Sequence, residues 1–470
     1  MRTVCFSNSN RAWGGGEAWH LNAALSLAAR GWRVLFIAYP GSALWRRVSE
    51  YPQITLLPLA LGRLSFLNPF VTARLMRFFR DERVDALIMN LPCDLKAAGP
   101  AARKAGVRHI VYRRGSALPV RNSFMNRYLF GRVITRLIAN SNATRDQVLI
   151  NNPRLIGEDR ITTLPNGVDI EAFDAALDLA ARSSCRLREW SGLRPGTTGD
   201  SLRGERFADE ASAKSADAPV IPGGGAKDIP GITRPFVIGN AGRLNRQKGQ
   251  HMILLLGRKL LDAGLDIRII IAGTGEREKE LKNLTAALKM EDKVLFCGFL
   301  DDLSPFWLAI DLFVLTSLWE GFGNVVIEAG LAQKPVYAFA VSNLPELIAD
   351  GPGGNGRLFP LPEEENILSP VSRPESADAH EKANEPIASV DNGVPAVNAR
   401  QVTQQEQAEK SFMGSPGPGG EYESLNSMAR GVLDLAAKPE TAKAMGREGR
   451  RMAMKYSQNA CMDALESILV

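Results

Sequence analysis

The feature that most constrains the fold is a rhythm that occurs twice. Short apolar runs of strand length alternate with stretches whose apolar residues recur at helical spacing. In residues 1–180 the runs are Thr3–Ser7, Val34–Ala38, Ala86–Met89, His109–Tyr112 and Arg136–Ala139. A helix is expected over Glu17–Arg30, closed by Gly31. In residues 236–362 the runs are Phe236–Asn240, Ile267–Ala272, Lys293–Cys297, Leu312–Leu315 and Val336–Phe339. They are compact and apolar, as strands buried on both faces must be. Such βαβ alternation folds into parallel sheets wound with helices, so an α/β chain of two doubly wound halves is expected.

Two segments break the rhythm. Residues 183–231 are rich in Ser, Gly, Ala, Arg and Pro, and residues 364–420 in Pro, Glu, Ser, Asn and Gln. Neither has the apolar surface to offset its ordering entropy, so both are expected to be flexible insertions. The expected division is therefore 1–180, an insertion at 183–231, 232–363, an insertion at 364–420, and C-terminal helices over 421–470. The composition of the whole chain, 45% hydrophobic and 23% charged, is that of a globular chain and excludes a fibrous or fully disordered one.

No run of about 18 apolar residues is present, so no membrane-spanning helix is expected. The N-terminus reads as a first strand rather than a signal peptide. The five cysteines lie far apart with no CxxC pair, which fits a reduced cytoplasmic compartment. Charge is uneven. Residues 1–180 carry 24 Lys and Arg against 13 Asp and Glu, and the lysines among them are only Lys96 and Lys104. Arginine forks match phosphate and carboxylate. An acidic partner on this half is one reading; an ordinary basic surface is the other.

Several segments carry candidate chemistry. Residues 316–332 run from a buried strand through Glu320, Gly321, Phe322 and Gly323 into a helix starting near Asn324, with Glu328 one turn inside. Backbone amides at such a helix start can hold a diphosphate. Carboxylates accept several hydroxyl hydrogen bonds, so one glutamate can meet a sugar and the other a ribose. After the first strand of the second half comes Gly242-Arg243-Leu-Asn-Arg-Gln-Lys248-Gly249, at the sheet edge where ligands bind. Arg243 and Lys248 could neutralise a leaving diphosphate. Gly273-Thr-Gly275-Glu276 ends another strand. Trp13-Gly14-Gly15-Gly16-Glu17 lies between the first strand and first helix, where glycines let backbone approach a ligand. It is not GxGxxG, and no acidic residue closes the second strand, so a dinucleotide site is a poor reading. With no Asp-x-Asp and four scattered histidines, neither a metal nor another cofactor is expected.

Taken in order, GGGE at 14–17, LPNGVD at 164–169, GRLNRQKG at 242–249, AGTGE at 272–276 and the pair Glu320/Glu328 resemble the retaining family 4 (group 1) glycosyltransferases. The resemblance spans nearly the whole chain outside the two insertions. It implies the GT-B fold: two Rossmann-like domains facing a cleft, the N-terminal one for the acceptor and the C-terminal one for the donor. It implies that Arg243 and Lys248 hold the donor diphosphate and that Glu320 meets the donor sugar. Glu328 would bind the ribose, and Gly15, Gly16, Gly242, Gly275, Gly321, Phe322, Gly323 and Asn324 would line the donor site. Asn166-Gly167 would lie near the interdomain crossover, and the last helix would return to the N-terminal domain. Many relatives carry a functional histidine after an N-domain strand; here Arg113 and Arg114 stand there. They are expected to contact phosphate or an acidic acceptor.

The implied reaction moves a sugar from a nucleotide diphosphate sugar to a glycan or glycolipid acceptor. A lipopolysaccharide-type or lipid-linked acceptor is the expected class, and nucleic acid is not an expected partner. Helical segments 67–84 and 123–137 mix apolar residues with arginines. They read either as core-packed helices with a solvated basic face or as contacts to anionic membrane, which would place a cytoplasmic protein peripherally on the inner face. Two other functions fit the same motifs: a nucleotide-sugar epimerase of the same fold, and a non-catalytic nucleotide-sugar-binding protein.

Overall fold

The computed structural model describes residues 1–183, 186–192, 234–362 and 423–470. Among them are two parallel sheets. The first has seven strands: β1 (Thr3–Asn8), β2 (Arg33–Ala38), β3 (Ile54–Pro58), β4 (Ala86–Met89), β5 (His109–Arg114), β6 (Arg136–Ala139) and β7 (Ile161–Thr163), in the order β3-β2-β1-β4-β5-β6-β7. The second has six: β8 (Phe236–Ala241), β9 (Ile267–Ala272), β10 (Val294–Gly298), β11 (Leu312–Leu315), β12 (Val336–Phe339) and β13 (Gly356–Phe359), in the order β10-β9-β8-β11-β12-β13. The doubly wound α/β architecture is thus as the sequence rhythm requires. The expectation lacked β3, β7 and β13, which are edge or near-edge strands with partly exposed faces.

Alternation along the strands builds the first core on both faces of its sheet. Cys5, Leu35, Leu87 and Ile110 pack on one side. Val4, Phe6, Val34, Phe36, Ile88 and Val111 pack on the other. The second sheet is buried at its centre: every residue of β11 and β12 is buried. In each sheet the order reverses beside one strand, β1 in the first and β8 in the second. The crevice at such a reversal, at the strands' C-terminal ends, is where open α/β sheets take ligands.

The chain crosses between the halves twice. It leaves the first half through Leu164–Asp169 and returns at Tyr456–Gln458. The crossings bond to each other: Val168 N–H donates to the Tyr456 carbonyl at 2.9 Å, and Gln458 N–H donates to the Val168 carbonyl at 2.9 Å. The helix Ile170–Arg182 then packs in the second core through Leu177 and Ala180. That moves it across the boundary expected at 180, because amphipathic spacing marks a buried face without naming its partner. The two insertions expected at 183–231 and 364–420 lie outside the described residues, except for 183 and 186–192. Within the latter, helix Arg186–Trp190 presents the Trp190 ring beneath the Arg268 guanidinium at 5.2 Å.

Helix Gln458–Leu469 returns to the first half. Met462, Leu465 and Leu469 enter its core, Arg30 pairs with Asp463 at 2.6 Å, and Trp32 Nε1 donates to Glu466 at 2.8 Å. This anchorage is apolar first, since Leu465 is fully buried whereas the ion pairs are partly solvated. Truncating a buried leucine typically costs about 2–5 kcal/mol. Leu465→Ala should therefore destabilise the fold by that order, read as a lower urea midpoint, while Leu179→Ala, at a 69% exposed position, should change stability by less than about 0.5 kcal/mol.

Candidate active site

The second half supplies a rigid wall. Asn245 caps the turn Arg246–Lys248, its Oδ1 accepting from Lys248 N–H at 3.2 Å. Gly249 follows at φ +58°, where an added Cβ would sit 2.2 Å from the Thr316 carbonyl. Thr316 Oγ1 in turn donates to the Gly249 carbonyl at 2.9 Å. The loop after β8 is thereby pinned to the end of β11, and this brings Lys248 onto Glu320: Nζ to Oε1 is 2.6 Å. Ser317 Oγ donates to the same carboxylate oxygen at 2.6 Å, and Glu320 N–H donates to Ser342 Oγ at 3.0 Å. Glu320 is only 4% exposed. Lys248 and Glu320, given separate partners from sequence, are an ion pair that compensates each other's desolvation. The segment holding Gly275 abuts this wall, with Leu244 N–H donating to the Thr274 carbonyl at 2.9 Å.

Helix Asn324–Leu331 starts beside the pair, after Gly323 in the left-handed region at φ +77°. Val326 N–H turns back to the Gly323 carbonyl at 2.8 Å, and the two amides before it, Asn324 and Val325, precede the first intrahelical acceptor, as at any helix start. Phe322 is buried, its ring edge-on to Tyr456 at 5.7 Å, so it supports the turn from behind. Glu328 lies one turn further in. Among the described residues no hydrogen bond or ion pair engages its side chain. Burial pushes its carboxyl up to about 7.

The first half supplies the opposing wall. Helix Gly15–Ala29 begins inside the glycine run. Asn8 Nδ2 donates to Glu17 Oε1 at 3.1 Å, and Ser9 Oγ donates to Asp94 Oδ1 at 2.5 Å. Asp94 is fully buried, and burial pushes its carboxyl up to about 6 against the opposing pull of the Ser9 hydrogen bonds. These contacts hold the run toward the second half. A Cβ on Gly15 would lie 3.3 Å from Asn324 Nδ2, and Arg243 Nη2 reaches the Trp13 carbonyl at 3.4 Å. On the same edge Gly321 meets Gly115 so closely that a Cβ on Gly321 would stand 2.2 Å from the Gly115 carbonyl. The candidate residues Gly15, Gly242, Arg243, Lys248, Glu320, Gly321 and Asn324 thus converge on one interdomain cleft. A Cβ on Gly16 would meet Asn90 Nδ2 at 2.7 Å, so this glycine packs against the end of β4.

Arg113 is not where the sequence reading put it. It is 1% exposed, its guanidinium stacked on Trp19 at 4.3 Å and bonded to Asn90 Oδ1 at 3.1 Å and to Asn166 Oδ1. Asn166 Nδ2 passes the chain on to Asn324 Oδ1 at 2.8 Å. Burial pulls the Arg113 pKa down to about 10, partly offset by Glu17, so it stays cationic at neutral pH. In this arrangement it braces the crossover from within the first half. Arg114 Nη2 is committed to the Leu118 carbonyl at 3.0 Å. Burial holds the neighbouring His20 imidazole neutral, well below its ordinary pKa.

Sequence reasoning also missed Glu346. From the second half it accepts hydrogen bonds from Asn142 N–H at 3.3 Å and Ala143 N–H at 3.0 Å, so one half caps a helix of the other. A lone glutamate in an apolar stretch gives no local sign of this.

Family models match both halves. "Glycosyltransferase Family 4" matches residues 13–172, and "Glycosyl transferases group 1" matches residues 226–379. Both halves therefore carry glycosyltransferase domains. An α-D-kanosaminyltransferase of Streptomyces kanamyceticus is 30% identical over 32% of this chain and 36% of its own length. The lipopolysaccharide core biosynthesis mannosyltransferase LpsB of Rhizobium meliloti is 35% identical over 26% of this chain and 36% of its own length. The chain thus matches about a third of the length of these relatives. The solved structure of Anabaena HepE in complex with UDP and glucose superposes with a TM-score of 0.64, 18% identity, and coverage of 100% of this chain and 99% of that one. The likeness shows the fold, GT-B.

Two outcomes follow from this geometry. Gly321→Ala should hold the cleft open, read as a larger radius of gyration in small-angle scattering with unchanged circular dichroism. Glu328 titrates higher folded than unfolded, so the folded state holds its proton longer and stability falls as pH rises from about 4.5 to about 7. Glu328→Gln should therefore raise Tm over the parent at about pH 8 and leave it unchanged at about pH 4.

Proposed function

We propose that this chain is a retaining glycosyltransferase that moves a sugar from a nucleotide diphosphate sugar to an acceptor hydroxyl of a cell-surface glycan or its lipid-linked precursor. The observation that carries the reading is the convergence of Arg243, the Lys248–Glu320 pair and the start of helix Asn324–Leu331 at one sheet edge, opposite the glycine run. The matched family models support transfer chemistry, and relatives such as the lipopolysaccharide mannosyltransferase support the acceptor class.

In this reading the diphosphate leaves into positive potential. Arg243 is exposed to the cleft and meets phosphate as a fork. Lys248 gives one ammonium hydrogen to Glu320 and keeps two for phosphate oxygens. The amides at the helix start add donors that are fixed before the charge develops, so no reorganisation is needed during bond cleavage. Glu320, oriented by Lys248 and Ser317, is held to accept from sugar hydroxyls. With Oε1 already engaged by Lys248 and Ser317, it is given no role as a covalent nucleophile. The acceptor hydroxyl then attacks from the face the diphosphate leaves, and the departing phosphate oxygen takes its proton. Configuration is retained.

The test is incubation with UDP-, GDP-, ADP- and CMP-sugars, with and without lipid-linked and oligosaccharide acceptors. Acceptor-dependent release of nucleotide, with the donor's anomeric configuration preserved in the product's proton coupling, supports the proposal. Consumption of donor without acceptor would replace it with epimerisation. Removing one preorganised donor typically costs about 2.7–4 kcal/mol, so Arg243→Ala should lower kcat/KM by about 100- to 1000-fold. A ribose hydroxyl bonded to ionised Glu328 requires the carboxyl to lose its proton. Nucleotide affinity should therefore fall up to about tenfold per unit as pH drops below about 7, and calorimetry with Glu328→Gln should show that slope abolished.

A further inference from the structure

Apolar side chains cluster on the first half away from its core. Phe70 is 83% exposed, Phe124 79%, and Leu64 and Leu67 each 66%. Leu64 and Leu67 lie in the connection after β3, and Phe70 opens helix Pro69–Asp81. Phe124 opens helix Phe124–Tyr128, in the connection after β5. The strands are parallel, so both connections leave the same edge of the sheet, the edge that carries the glycine run and the cleft. Both also pack on one helix: Pro92–Ala105 touches the turn Ser65–Leu67 and the turn Leu129–Val133. The protrusions therefore adjoin a single helix on one face of the domain. They are not fraying tips, because Phe66, Val71 and Met125 root them in the core beneath.

The surrounding charge has one sign. Arg63, Arg74, Arg77, Arg121, Arg127 and Arg132 are all exposed in these segments. No Asp or Glu occurs from residue 51 to 80 or from 95 to 145. Exposed phenylalanine and leucine tips among arginines match the two attractions of a bilayer surface: apolar insertion at the acyl boundary, and roughly 1 kcal/mol per basic residue from anionic headgroups. A second copy of this chain fits worse. Two-fold pairing would set each arginine set against its own image, whereas interface cores are depleted of charge.

We propose that the face formed by Leu64, Leu67, Phe70 and Phe124, with its six arginines, docks on an anionic lipid bilayer. The apolar tips enter the headgroup layer and the arginines engage lipid phosphates. Docking sets the cleft edge of the first sheet against the membrane. That this edge then receives a lipid-linked hydroxyl rests on the transfer reading; the docking does not.

The test is flotation of the full chain with vesicles of phosphatidylglycerol and phosphatidylethanolamine, against vesicles of phosphatidylcholine alone. The expected result is binding to the anionic vesicles that weakens with salt. Phe70→Ser/Phe124→Ser should weaken it about tenfold or more, since each tip loses on the order of 1 kcal/mol of apolar burial. Arg74→Gln/Arg77→Gln should weaken it and flatten the salt dependence. The variants touch no cleft residue, so their thermal shift with nucleoside diphosphates should equal the parent's, whatever that shift is. Absence of binding to anionic vesicles overturns the proposal, as does equal binding by the phenylalanine variant. A parent dimer that this variant converts to monomer in light scattering would reassign the face to self-association. Vesicle binding without any nucleotide response would leave the docking face standing and remove the transfer reading.

Discussion

Parallel strands send every connection that follows them to one edge of the sheet, and the whole molecule depends on that constraint. With the strand order reversing at β1 and at β8, each half opens a crevice at that edge. The glycine run follows β1, the Arg243–Lys248 loop follows β8, and the Glu320 turn follows β11. Two crossings, hydrogen-bonded to each other at Val168, turn the edges face to face. No single motif makes the site. The sheets do, by delivering these three short segments to one place.

What meets across the mouth of the cleft is polar and small. Asn166–Asn324, Glu346 on the helix start at Asn142, Arg243 on the Trp13 carbonyl, and the Gly321–Gly115 approach span the cleft. Such contacts exchange readily with water, so their net worth is modest compared with the apolar anchorage of helix Gln458–Leu469. The linkage is durable at the crossing and easily opened at the mouth. That division suits a site whose substrate must enter between the halves and whose charged groups gain strength once water leaves. Arg113 serves the durable part: stacked on Trp19 and bonded to Asn90 and Asn166, it fixes the crossover between the halves.

Strands such as Leu312–Leu315 were legible because a strand buried on both faces must be apolar throughout. Strand Ile161–Thr163 was not, because a partly exposed edge carries no such run. Candidate residues on loops at strand ends were legible as a group, since position relative to a parallel strand fixes the edge. Their partners were not. The Lys248–Glu320 pair joins residues 72 apart, and Arg113 is buried by Trp19 and Asn166, which lie far from it in sequence. Likewise the amphipathic helix Ile170–Arg182 declared a buried face but not which core it serves.

The central claim is that the cleft holds a preformed diphosphate site on Arg243, Lys248 and the start of helix Asn324–Leu331. The most direct measurement is the thermal shift of the purified chain with UDP, GDP, ADP and CMP, beside Arg243→Ala. Ligand at 100 times its Kd stabilises by about 2.7 kcal/mol. The account predicts that one nucleoside diphosphate raises Tm by several degrees in the parent and not in the variant, and that CMP does not. Equal shifts in parent and variant, or none with any nucleotide, would contradict it.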